Sequence, residues 1–293
     1  MPIEMNTLML CAYMVTAFLG AAMVFYNLTE KTYAGFRHWA LGTAVVSGGY
    51  LFFLMRGLIP LWGSILLVNT CFVLGSIMRL DGVERFVRGR ALARAYYAAP
   101  LIIAAVNGWF YLVRDSIVLR SFFLALMLCL ICLRIAHALH RHAPEDSAPL
   151  YRITAACFTL LGLELLFRSL LWLLQPEATM LDARLYHVAH YLFIILMEIA
   201  WAISYLMMNS QRLRRELAQS HDRLRGTVTD LEKALSEIKT LRGFLPICSS
   251  CKKIRDDRGY WNQIECYIRK HTEAEFSHSI CPECVTRLYP DHR

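Results

Sequence analysis

The chain has 293 residues, 57% of them hydrophobic, a mean hydropathy of +0.40 and a formal net charge of +8. That is too apolar for an ordinary soluble domain. The positive charge alone would suit a nucleic-acid binder, but many of its bases lie in short connections between apolar runs, where membrane topology places them.

Apolar segments near 5–27, 36–56, 59–80, 95–113, 117–139, 150–174 and 185–208 are each long enough to span about 30 Å of hydrocarbon. The sequence therefore predicts an all-α membrane protein with a seven-helix transmembrane bundle over 1–208. The first segment lacks a basic leader, runs too long for a signal peptide and is followed directly by further spans. Gly48, Gly49, Gly75, Gly108 and Gly162 within the runs predict close helix packing.

Lys and Arg set the orientation. One set of connections carries Lys31 and Arg37, then Arg79, Arg85, Arg88, Arg90 and Arg94, then Arg141 and Arg152. The opposite loops carry only Arg56, Arg114 beside Asp115, and Arg184 beside Asp182. The bias predicts an N-terminus outside and a tail in the cytoplasm.

Ionisable groups within spans cost roughly 2.5–3.5 kcal/mol each at mid-bilayer, so they are candidate site residues. Glu164 and Arg168 stand one turn apart in the sixth span and can pair along the helix. Glu198 lies in the middle of the seventh, with His187 and His190 in its outer third. Asn69 and Asn107 can join them. Two readings stand: a ligand- or proton-sensing cavity built from Glu164, Arg168, His187, His190 and Glu198, or a hydrogen-bonded network that fixes packing. His137 and His140 end the fifth span at the opposite depth, which argues against a cofactor shared with His187 and His190.

The chain then turns polar without a break. Leu217, Leu224, Leu231, Ile238 and Leu245 repeat every seven residues, which predicts a coiled-coil linker over 209–245 and a parallel homodimer. A lone surface helix is the alternative. Gly226 weakens the coil by about 1 kcal/mol.

The last segment, 246–293, holds Cys248, Cys251, Cys281 and Cys284 in two Cys-x-x-Cys pairs. Four such thiols can close a tetrahedral site around zinc. A segment this short needs such a staple, and structural zinc supplies roughly 10–16 kcal/mol of folding energy. Ile254-Arg255 and Tyr260-Trp261 read as a hairpin around Asp256–Gly259, 261–271 as an amphipathic helix, Glu275–Ile280 as an extended return, and Cys281 as the start of a last helix. The fold expected is treble-clef-like. A redox pair is the rival reading, but no βαβ pattern surrounds either motif. His278 is a substitute ligand or a donor to a thiolate. The remaining cysteines Cys11, Cys71, Cys129, Cys132 and Cys157 lie in apolar runs, and Cys266 lies in the tail helix.

On LPICSSCKKIRDD, GYWNQIE, EAEFSHSICPEC and LYP, about residues 241–290, the tail closely resembles a small four-cysteine module at the C-termini of bacterial signalling proteins. The resemblance implies an output or adaptor piece without catalytic activity. More loosely, the WALG start, LLVNTCFVLGS and the R-x-x-G-V-E-R-F stretch resemble the multi-helix input domain often fused to GGDEF diguanylate cyclases. That implies a sensory membrane domain, yet no GGDEF, kinase or phosphodiesterase signature follows the coil.

Together these readings predict a sensor or adaptor of the bacterial inner membrane, set among membrane lipids, with zinc as structural metal and a cytoplasmic signalling protein as partner. A membrane-tethered nucleic-acid binder would use Lys252, Lys253, Arg255, Arg258, Arg269 and Lys270. Against it, Asp256, Asp257, Glu265, Glu273, Glu275 and Glu283 interleave with these bases and leave no basic face. A membrane enzyme or transporter is the other alternative. No nucleophile–base set, phosphate loop or internal repeat speaks for it.

Overall fold

The structure is a computed structural model that describes residues 5–174, 180–242, 245–272 and 274–289. Seven long helices follow one another: α1 Met5–Thr29, α2 Phe36–Leu54, α3 Leu61–Arg88, α4 Ala99–Leu112, α5 Ile117–Arg141, α6 Ala148–Leu174 and α7 Met180–Arg242. A β-hairpin of β1 Ile254–Arg255 and β2 Trp261–Asn262 then precedes α8 Ile264–His271 and α9 Pro282–Leu288. The chain divides into two compact units, Met1–Leu217 and Ala218–Arg293.

Among the described residues, six stretches are long and apolar enough to cross a membrane: Asn6–Thr29, Leu61–Arg88, Arg94–Leu112, Ile117–Arg141, Ala148–Leu171 and Val188–Ser236. They mark the chain as a multi-pass, all-α membrane protein. The helix α2 is not among them. Arg37, His38 and a run of Gly, Ser and Thr lower its apolarity. Its Trp39, Thr43, Val46, Ser47 and Tyr50 are buried, and it packs on both α1 and α3. A helix that meets protein on several sides does not need a uniformly apolar surface.

Close approach of α2 and α3 depends on two glycines. A Cβ on Gly42 would stand 2.7 Å from the Gly75 carbonyl oxygen, and a Cβ on Gly75 would stand 2.7 Å from that of Gly42. Gly82 leaves room for the Trp39 indole, whose Nε1 donates to the Arg79 carbonyl. Of the glycines expected to pack closely, Gly49, Gly75 and Gly162 do so; Gly48 and Gly108 face open space. Around Trp39 lies an aromatic core: Tyr205 stacks on it at 3.3 Å between ring centroids and Trp201 meets it edge-on at 5.0 Å. Such pairs add about 0.5–1.5 kcal/mol beyond the area they bury.

The helix α7 remains tied to the first unit beyond residue 208. The buried Asn209 side chain accepts from the Tyr33 backbone N–H at 3.2 Å. Arg212 donates to the Phe86 carbonyl at 2.9 Å and lies over the Tyr33 ring. Lys31 and Glu216 form a 2.9 Å ion pair between exposed side chains, where solvent screens the attraction. Farther along, Leu224, Val228, Leu231 and Leu235 are exposed. The Ile238 side chain of the leucine ladder lies outside the described residues.

In the tail the hairpin pairs Ile254 with Asn262 and Arg255 with Trp261. The Asp256 carboxylate organises its turn by accepting from the Arg258 and Tyr260 N–H groups and from the Asn262 amide at 2.8–3.1 Å. Gly259 sits at φ 87°, where a side chain would be strained. Trp261 belongs to β2, so α8 starts three residues later than the helical spacing predicts. Gln263 holds its N-cap position in extended conformation, without a side-chain cap hydrogen bond. Residues 274–280 form no strand, and α9 opens with Pro282 and Glu283 in its first turn, as expected.

Candidate functional site: a buried polar cluster between α3, α6 and α7

Glu198 is 4% exposed, within the stretch Val188–Ser236. Its two carboxylate oxygens each accept from Arg79 at 2.8 Å, and Oε2 also accepts from Trp201 Nε1 at 3.1 Å. The Arg79 guanidinium stacks over the Trp201 ring, 4.3 Å from its centroid. Fork-to-fork geometry of this kind is the strongest form an ion pair takes in a low-dielectric interior. About two turns toward the start of α7, His190 Nδ1 meets Glu164 Oε1 of α6 at 2.7 Å. Arg168 is half-buried and lines the same cavity as Tyr191.

Of these groups, Arg79, Arg168, His190, Tyr191 and Glu198 border one cavity of about 130 Å³. Arg79, Arg168, His190, Tyr191, Glu198 and Tyr50 supply its polar wall, and Val46, Phe72, Leu128, Phe158 and Leu161 are among its apolar lining. Arg79 Nε and Glu164 Oε2 are buried and, among the described residues, have no hydrogen-bond partner. A buried donor and a buried acceptor left open are costly, at about 1–3 kcal/mol each. The open Arg79 donor, on the cavity wall, fits a cavity that accepts water or a small polar molecule beside an apolar body.

Glu164, Arg168, His190 and Glu198, expected to meet, all lie at this cluster. The expected Glu164–Arg168 pair is replaced: the Glu164 carboxylate turns to His190 across the helix interface. His187 lies on α7, but its side chain is outside the described residues. Asn69 and Asn107 bond each other at 2.9 Å, and neither lines the cavity.

The residue that the sequence reading misplaced is Arg79. Counted there as a base of the inner connection, it lies inside α3, which continues to Arg88. The signal was present: Phe72, Ser76 and Arg79 follow helical spacing and all line the cavity. Asp81 and Glu84 are buried in the same stretch. Asp81 accepts from Arg85, the Leu92 N–H and Tyr97, while Glu84 meets Arg88 and Arg134.

The four tail cysteines stand in two separate turns. In the first, Lys252 N–H donates to the Cys248 carbonyl at 2.9 Å and Cys248 N–H to that of Lys253 at 2.8 Å, with Lys252 at φ 58°. Backbone N–H groups of Cys251 and Ser250 point at the Cys248 sulfur and hold its thiol below the usual range. The N–H and thiol of Cys284 do the same for Cys281. Donors aimed at sulfur suit a bound thiolate, so each turn fits half of a metal site. Among the described residues, no three His, Cys, Asp or Glu side chains come together in a metal-holding group.

No protein-family model matches the chain, and neither does any curated protein or solved structure. What the fold and the cluster define by themselves is a multi-pass helical membrane protein with a polar cavity inside the helix bundle.

Proposed function

We propose that the chain is a sensor or adaptor of the bacterial inner membrane. All seven helices of the first unit cross or line the bilayer, with α2 as the seventh. The N-terminus is outside and the tail is in the cytoplasm. The cavity receives a small molecule with an apolar body and one hydrogen-bonding or anionic group, which Arg168, His190 and Tyr191 address. The polar tail of α7 pairs with a second copy as a parallel coiled coil. The four cysteines hold one structural zinc, and the module presents a surface to a cytoplasmic signalling protein.

The observation that carries this reading is the continuity of α7. One helix, Met180–Arg242, holds both Glu198, locked to Arg79, and the leucine ladder exposed at Leu224 and Leu231. A ligand that competes for Arg79 or Glu198 would release α7 from α3. It shifts the equilibrium only by its differential affinity for the two arrangements. The exposed leucines supply the reason for a partner, since a polar helix with one apolar seam has little else to bury.

Recruitment of cytoplasmic proteins is the test. Photo-crosslinking from the tail of the full-length chain in membranes should capture a defined partner. Arg168→Leu should reduce that capture without lowering thermal stability in detergent. Equal loss of stability and capture would instead make the cluster a packing network.

A further inference from the structure

A second cavity, unrelated to the buried cluster, opens where α3 and α5 end. It measures about 390 Å³ and is lined by Arg88, Arg134, His137, Arg141 and His142. Glu84 is the carboxylate that pairs there, at 3.2 Å from Arg88 and 2.8 Å from Arg134. One carboxylate against three guanidiniums leaves two positive charges in excess before either histidine is counted. Bases in a last helical turn also offset the helix dipole. That role does not require side chains from two helices to converge on one groove.

We infer that this groove binds a phosphate group, and that its source is the headgroup of an anionic phospholipid. Guanidinium forks match phosphate oxygens in geometry and charge. The surroundings choose the lipid. Leu130, Leu133 and His137 lie at spacings of three and four on one face of α5. Leu130 is 57% exposed and Leu133 38%. An acyl chain can lie along these leucines while its phosphate sits between His137, Arg141 and Arg88. A soluble phosphate would make no use of that apolar strip. Basic pockets at the ends of membrane helices hold anionic headgroups for this reason. The inference uses neither the buried cluster nor the tail, so it stands or falls separately from the sensory reading.

The experiment titrates the full-length detergent-purified chain with phosphatidylglycerol, phosphatidylcholine and inorganic phosphate, and counts adducts by native mass spectrometry. Phosphatidylglycerol should bind in preference to phosphatidylcholine. His137→Gln with Arg141→Gln should weaken that binding about fivefold or more, near one fivefold step per charge removed. These two positions avoid the Glu84 ion pairs, so the fold should survive, as an unchanged thermal transition would verify. Arg152→Gln, an exposed base at the start of α6, should leave binding intact. Equal phosphatidylglycerol binding by wild type and the double variant would overturn the proposal. Saturable binding of inorganic phosphate, lost in the double variant with no lipid preference, would overturn the lipid as source.

Discussion

Arg79 on α3 and Glu198 on α7 face each other through two parallel 2.8 Å hydrogen bonds, each side chain about 5% exposed. No other described pair joins these helices with two charge-assisted bonds. Removing one partner should leave a buried charge without compensation. Glu198→Gln or Arg79→Met alone should therefore destabilise the protein by about 3–5 kcal/mol. The Arg79→Met, Glu198→Met double variant should recover most of that loss, because no buried charge remains. Thermal unfolding of the four proteins in one detergent gives the coupling directly. Additive losses would mean that the pair is not coupled.

Gly42 and Gly75 make the second prediction. Each would place a Cβ 2.7 Å from the carbonyl oxygen of the other. Gly75→Val must push α2 and α3 apart and should cost about 1–3 kcal/mol, as overpacking does elsewhere. Gly108→Ala, where a Cβ meets nothing within 4 Å, should leave thermal stability unchanged or raise it by up to about 1 kcal/mol, through the poor helix propensity of glycine. Equal effects at both sites would contradict the helix contact.

The third concerns the tail. Purified chain should contain one zinc, and Cys281→Ser should lower that content and loosen residues 245–289 to proteolysis, since one thiolate of four carries much of the folding energy. Cys266→Ser, on the exposed face of α8, should change neither. Zinc content that is unaffected by Cys281→Ser would remove the metal from the account.

The fourth tests pairing along α7. Leu231 is 59% exposed and stands at the centre of the seven-residue ladder. Leu231→Asp should abolish crosslinking between full-length chains in membranes while leaving helix content of the bundle unchanged. Persistent crosslinking would place the partner contact elsewhere.

Helix positions were legible because apolar runs of spanning length admit few other structures. The polar cluster was legible in part, because ionisable groups inside such runs are costly enough to stand out: Glu164, Arg168, His190 and Glu198 were identified that way. Arg79 was not, since a base at the very end of an apolar run looks the same whether it opens a loop or turns inward. Only the periodicity of Phe72, Ser76 and Arg79 separates the two. The choice between Arg168 and His190 as the partner of Glu164 was also hidden. Both satisfy local spacing rules, and the distance across the α6–α7 interface decides. In the same way Gly42 and Gly82 matter through what faces them, which a one-dimensional reading does not contain.

The central claim is that α7 carries the state of the buried cluster to the paired segment beyond it. A spin label on a non-canonical residue at the exposed Ser220 would leave the native cysteines untouched. Distances between two labelled copies of the full-length chain in nanodiscs then report on pairing and its geometry. The account predicts one short distance in wild type and a shifted or broadened distribution in Glu198→Gln, at conditions where circular dichroism shows the helices intact. The absence of any dipolar coupling between copies, or an identical distribution in both proteins, would contradict it.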